Sequence, residues 1–223
     1  MKTVVVRSIS GLLFIAVMLA GLLINGHLFS LLLAVMTFGM ISELIKVPGF
    51  ARQKPGVLYY VVGTVYILMA MALLIVLAYA GGDFSGKLPL CFFILIWCSD
   101  VGAYCIGSTI GKKTGSKKMA PTISPNKSWA GFWGGMAFSL IGAFVLVRTS
   151  MLEFPIWAAL VLGLLIHCSG VVGDLIESAW KRHFGVKDSG SIMPGHGGFL
   201  DRFDSSLLAI PFGTLFLAAI NLI

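Results

Sequence analysis

Charge is scarce in this chain: Asp, Glu, Lys and Arg make up 11% of its 223 residues, where a soluble domain carries roughly 25%. Acids are the scarcer sign, 9 against 16 Lys and Arg, which leaves a formal charge of +7. Cysteine is sparse too. None of the 4 forms a Cys-x-x-Cys pair or sits in a polar loop, so neither a disulfide-stapled module nor a thiolate metal site is expected. Cys91, Cys98 and Cys105 recur along one apolar run and read as small packing residues. What fills the chain is apolar: 58% of it is AVILMFWYC, and the mean hydropathy is +0.97. A soluble domain of this length has too little interior to hide so much apolar surface, so lipid is the solvent for most of the chain. This excludes a disordered chain and an ordinary cytosolic enzyme. The basic residues are scattered between apolar runs and are not interleaved with base-stacking aromatics, so nucleic acid is not expected as a partner.

Seven apolar runs are long enough to cross about 30 Å of hydrocarbon, at approximately 8–25, 28–47, 57–80, 88–107, 128–148, 155–180 and 203–222. The expected fold is an all-α polytopic bundle of about seven transmembrane helices. The first run follows Lys2 and Arg7 but no small-x-small cleavage site follows it, so an uncleaved first helix is expected. With the N-terminus in the cytoplasm, all but Lys87 and Arg148 of the 16 basic residues fall on the cytoplasmic side. One missed span would invert every later loop, so this asymmetry sets the expected orientation. Residues 1–95 carry few polar groups within their runs and read as transmembrane scaffold. Residues 96–223 read as the functional region, with polar loops at about 108–127 and 181–200 facing the cytoplasm.

An ionisable residue within a span costs about 2.5–3.5 kcal/mol on insertion scales and marks a functional site by default. Asp174, Glu177, Ser178 and Lys181 form one stripe at the end of the sixth run, Asp201 and Asp204 share a face at the start of the seventh, and Asp100 and Tyr104 share a face of the fourth. Oxygen-only clusters of this kind suit Mg²⁺. The alternative is that the acids simply neutralise nearby Lys and Arg. The Gly-rich loop from Lys181 to Asp204, with Lys181, Arg182, Lys187 and Arg202, suits phosphate, and so does the basic segment Ser124–Ser128 opening the fifth span. Gly107–Lys112 is one residue short of a P-loop and ends a membrane run, so it is not read as one. Gly131 and Gly135 read as a close helix contact, and His27 and His167 as interface or core residues.

The stretch Ser178-x-x-Lys181-Arg182-x4-Lys187-Asp188-x-Gly190-x3-Pro194-x-His196-Gly197-Gly198-x-x-Asp201-Arg202-x-Asp204 closely resembles the signature of the phosphatidate cytidylyltransferases, the CDP-diacylglycerol synthases. Ser99-Asp100-Val101-Gly102-Ala103-Tyr104 and Ser124-Pro125-Asn126-Lys127-Ser128-Trp129 also look like that family's nucleotide-side motifs, so the resemblance covers about residues 95–210. Ala130 departs from the pattern, which commonly has Glu there.

The resemblance implies transfer of a cytidylyl group from CTP to phosphatidate, giving CDP-diacylglycerol and pyrophosphate. It implies Mg²⁺ on the CTP phosphates, held by Asp174 and Asp201 with Asp204 and Asp100 close by, and two-metal logic admits a second cation. Lys127, Lys181, Lys187 and Arg202 would neutralise phosphates, the Gly197–Gly198 backbone would approach them, and His196 would donate to the leaving pyrophosphate. Tyr104, Ser124, Ser128, Ser178, Arg182 and Asp188 complete the expected substrate contacts. The expected partners are CTP, phosphatidate, the bilayer and a second copy of the chain. The expected location is a bacterial inner membrane, with the site facing the cytoplasm. Two rivals are a CTP-dependent enzyme acting on another lipid alcohol or lipid phosphate, and a membrane cation carrier. A carrier predicts acids on both sides of the midplane, whereas these cluster at one end.

Overall fold

The computed structural model describes residues 2–50, 54–192 and 197–223. Long helices dominate, because a chain in lipid must satisfy its backbone N–H and C=O groups within each segment. In order they are α1 (Lys2–Leu23), α2 (Gly26–Phe50), α3 (Val57–Ala78), α4 (Lys87–Ser108), the single turn α5 (Ile110–Lys113), α6 (Trp129–Arg148), α7 (Ile156–His183), the single turn α8 (Leu200–Phe203) and α9 (Ser206–Ala219). Among the described residues, 5 helices are long and apolar enough to cross a membrane: α2, α3, α4 continued through α5, α6 and α7. The first of the expected runs is represented by the shorter apolar piece Ser10–Leu23, and the last by the 14-residue α9.

The last run is short because it is interrupted. Asp204 and Ser205 keep right-handed helical dihedrals, but the Asp204 carboxylate accepts the N–H of Ser205 at 2.6 Å. A side chain that captures a local amide in this way competes with the helical ladder. The break holds Asp204 against α7, where a Cβ on Gly173 would come within 2.6 Å of the Asp204 carbonyl oxygen.

One feature corrects the all-helical expectation. Between α5 and α6 the strands β1 (Lys118–Ala120) and β2 (Ser124–Ser128) pair antiparallel, Lys118 opposite Ser128 and Ala120 opposite Ser124. A polar segment outside the apolar helices can leave strand edges to water, so this short hairpin meets none of the constraints that lipid imposes.

The centre of the bundle is the contact of α4 with α6. A Cβ on Gly102 would come within 2.7 Å of the Gly134 carbonyl oxygen, and one on Gly135 within 2.8 Å of that of Ser99. Bare glycines let the two backbones meet, as expected for Gly131 and Gly135. His167 is fully buried there, its Nδ1 2.8 Å from Ser99 Oγ, so it is a core residue. Outward faces are as apolar as the interior: Phe38, Val57, Leu58, Trp133 and Leu215 are all exposed, which fits lipid as the solvent. Lys87 reaches Glu153 at 2.7 Å, so α4 and α7 begin at one end of the bundle. Both carry their acids toward the other.

Candidate active site

At that other end, α4, α6 and α7 enclose a cavity of about 490 Å³. Asp100 and Tyr104 line it from successive turns of α4, Lys127 and Ser128 from the end of β2 just before α6, and Asp174 from α7. Lys112 from α5 and Lys118 from β1 add positive charge to the wall. Lys127 Nζ lies 2.6 Å from Asp174 Oδ2, and Ser178 Oγ, one turn further along α7, donates to Asp174 Oδ1 at 3.1 Å.

The start of α6 differs from expectation. Its first amides already have protein partners: Trp129 N–H donates to the Lys117 carbonyl at 3.0 Å, Ala130 N–H to Ser116 Oγ at 3.0 Å, and Gly131 N–H to the capping Ser128 Oγ at 3.2 Å. Attraction for an anion therefore rests on the lysine ammoniums and not on free N–H groups. Ala130 is half-buried beside Ser116 and Gly111 and is not on the cavity wall. Ala130 itself thus contributes nothing to the cavity wall. Ser124, on β2, is likewise off the wall.

A second cluster joins the end of α7 to the Gly-rich loop. Lys181, buried, reaches Asp201 Oδ1 at 2.6 Å and Glu177 at 3.2 Å. Asp201 Oδ2 accepts the N–H groups of Ser189 and Gly198, each at 2.8 Å. Burial pushes the Asp201 carboxyl up, but the Gly198 N–H, the Lys181 ammonium and the Ser189 N–H outweigh it and hold the group below its ordinary value. The Gly198 N–H is thus committed to Asp201. Gly197 supplies a left-handed turn, at φ +83°.

The residue missed by sequence reasoning is Glu43, from the half of the chain read as scaffold. It is buried on α2, 6% exposed, and accepts the N–H groups of Phe199 and Leu200 at 2.8 and 2.9 Å. The signal was present, since Glu43 is the sole acid in the apolar run 28–47 and an acid within a span marks a site.

The remaining expected site residues are placed as follows. Arg182, Lys187, Asp188 and Arg202 are exposed and line neither the cavity nor the groove, and Arg182 donates to the Val186 carbonyl at 3.0 Å. His196 lies outside the described residues. Among the described residues, no three carboxylate, imidazole or thiol side chains converge on one metal position.

On the opposite side of α7, a groove of about 640 Å³ opens between α2, α3, α7 and α9. Tyr59, Val62, Ile67, Trp180 and Leu207 make it apolar, and Glu177 and Asp204 form its polar end. Trp180 Nε1 donates to Tyr59 Oη at 2.8 Å, which in turn donates to the Leu44 carbonyl at 3.1 Å. This bridge ties α7 to α3 and α2. Adjacent residues divide the two spaces: Asp174 and Ser205 face the polar cavity, Gly173 and Asp204 the apolar groove.

Residues 52–220 match the model of a family described as the cytidylyltransferase family. Over 119 residues the chain is 46% identical to a phosphatidate cytidylyltransferase of Staphylococcus saprophyticus, an alignment covering 53% of this chain and 44% of that protein. It is 47% identical over 119 residues to a phosphatidate cytidylyltransferase of Bacillus subtilis, covering 53% of this chain and 43% of that protein. The match spans less than half the length of these curated relatives.

Proposed function

The chain belongs to the cytidylyltransferase family, and from that premise we propose that it transfers a cytidylyl group from CTP to phosphatidate, releasing pyrophosphate and leaving CDP-diacylglycerol. The observation that carries this reading is the pair of unlike spaces sharing α7 and the break before α9. A cavity with Lys112, Lys118 and Lys127 on its wall suits a nucleotide triphosphate, and an apolar groove beside it suits an acyl chain. One helix thereby holds two substrates that do not share a solvent.

The chemistry asks little of a general base. A phosphate monoester has its second pKa near 6, so the attacking oxygen of phosphatidate is anionic at neutral pH. It attacks the α-phosphorus of CTP, the new P–O bond forms as the bond to the bridging oxygen breaks, and pyrophosphate leaves with that electron pair. The protein's part is positioning and charge. Lys127, with Lys112 and Lys118, faces the triphosphate. Lys181, Lys187 and Arg202 serve the phosphates from the loop side, Arg182 and Asp188 flank them, and Asp100, Tyr104, Ser128 and Ser178 orient the nucleotide and Asp174.

We assign Mg²⁺ to Asp174, which lines the polar cavity; Asp201, whose two oxygens already have protein partners, and Asp204, which lines the groove, were expected beside it and are not given to the metal. The donor fits: it is a carboxylate on the cavity wall, and Lys127 already sets positive charge against it. Mg²⁺ is usually held by one or two carboxylates plus water and substrate phosphates, so it needs no cage of three side chains. Bound there, it would screen the triphosphate and draw charge from the α-phosphorus. The N-terminus and the site are placed on the cytoplasmic side, supported by the basic residues gathered at that end.

The test is a detergent-micelle assay with Mg²⁺, phosphatidate and α-labelled CTP. Label entering the lipid phase as a CDP-lipid, and lost with EDTA, is the expected result. Label that enters only with another lipid acceptor would overturn phosphatidate as the substrate.

A further inference from the structure

Glu43 stands far in sequence from every motif of the site, yet its carboxylate is the point where both ends of the Gly-rich loop are tied. Oε1 accepts the Phe199 N–H at 2.8 Å. Oε2 accepts the Leu200 N–H at 2.9 Å and the Ser189 hydroxyl at 2.7 Å. A buried carboxylate is tolerated only when its lone pairs are met in this way.

The surrounding sequence is shaped to admit it. A Cβ on Gly198 would run into the Glu43 carboxylate, and one on Gly190 would come within 2.6 Å of its Oε1. A Cβ on Gly39, one turn earlier on the same face of α2, would run into the Phe199 ring. Three glycines on two segments thus make room for one contact, which gives Gly190 and Gly198 a role apart from phosphate approach.

Ser189 carries the contact onward. Its hydroxyl lies 2.7 Å from Glu43 and 3.0 Å from Asp201 Oδ2, and has one proton to give. Asp201 in turn holds Lys181 at 2.6 Å. With the hydroxyl proton directed to Glu43, the Ser189 N–H, 2.8 Å from Asp201 Oδ2, completes a line from α2 through Ser189 and Asp201 to the ammonium at the end of α7.

We infer that Glu43 is a positioning residue for the transfer reaction: from α2 it fixes the base of the Gly-rich loop and, through Ser189 and Asp201, the place of Lys181. This rests on the cytidylyltransfer reading. Glu43 touches neither cavity wall, so its loss should disturb turnover and leave nucleotide binding alone.

The experiment compares wild type, Glu43→Gln and Ser189→Ala as full chains in detergent. It measures kcat, the KM for CTP, the melting temperature and amide exchange. Glu43→Gln keeps the shape but turns an NH₂ toward backbone N–H donors. Its kcat should fall about ten- to a hundredfold, the scale of a misplacement remote from the chemistry, with the KM for CTP unchanged, exchange faster at Phe199 and Leu200, and the melting temperature lowered by the unmet N–H donor. Ser189→Ala cuts only the relay, so kcat should fall while those two amides stay protected. An unchanged kcat in Glu43→Gln overturns the inference, as does a joint shift of kcat, KM and melting temperature, which would mark a purely structural role. Wild type inactive with CTP and phosphatidate would overturn the transfer reading itself, whereas active wild type beside an unaffected Glu43→Gln overturns only the role of Glu43.

Discussion

The Lys127 ammonium lies 2.6 Å from the Asp174 carboxylate, and their side chains keep 22% and 29% of their exposure. Such an accessible pair adds little to stability, because water screens it and two side chains must be ordered to form it. Its position on a cavity wall is therefore better explained by what the cavity binds. Asp174→Asn should abolish transfer with the melting temperature unchanged, because a neutral amide cannot hold the cation. Lys127→Gln should raise the KM for CTP about tenfold or more, the scale for a charge-assisted phosphate contact. Steady-state kinetics beside a thermal melt check both, and near-normal turnover in Asp174→Asn would remove it from the metal site.

Removal of the metal is the companion case. EDTA should stop transfer and added Mg²⁺ should restore it, while Ca²⁺ should restore little because it prefers six to eight oxygens at longer distances. Transfer that continues in excess chelator would show that the lysines alone neutralise the triphosphate.

The contact of α4 with α6 gives a prediction about stability. A Cβ on Gly135 would meet the Ser99 carbonyl and the His167 ring, both at 2.8 Å, and neither is the loose end of a flexible side chain. Gly135→Ala should cost about 1–3 kcal/mol, the usual scale of overpacking. Gly49→Ala meets nothing within 4 Å and should cost nothing comparable. Melting curves of the two variants in one detergent compare them directly, and equal melting temperatures would show that the helices separate without strain.

Much of this architecture is legible in the sequence, for identifiable reasons. Apolar runs marked the long helices because lipid leaves the backbone few other choices. The polar residues Asp174, Glu177, Ser178 and Lys181 stood out on an apolar helix because helical spacing stacks them along it, but the expected single face is divided: Asp174 turns to the polar cavity and Glu177 to the groove on the other side of α7. Three things were not legible. The break at Asp204 and Ser205 depends on a side chain taking its neighbour's amide, which no periodicity reports. The amides at the start of α6 looked free because their partners, Lys117 and Ser116, arrive on the preceding loop. Glu43 looked isolated because its partners, Ser189, Phe199 and Leu200, come from the far end of the chain.

The apolar groove gives the sharpest test of two separate spaces. Trp180 forms part of its wall and is held by the bond from its Nε1 to Tyr59 Oη, 2.8 Å long. Tyr59→Phe removes that acceptor and leaves the indole N–H without its partner, at a cost of about 1 kcal/mol for a half-buried hydrogen bond. Trp180→Leu goes further, freeing α3 from α7 and widening the groove. Neither residue lines the polar cavity, so the KM for CTP should hold in both variants. The KM for phosphatidate should rise in Trp180→Leu, and less in Tyr59→Phe, because an acyl chain loses apolar contact with the indole at about 25 cal/mol per Å². Varying each substrate at saturation of the other separates the two constants. A rise in the CTP constant alone would place the nucleotide in the groove and reverse the assignment of the two spaces.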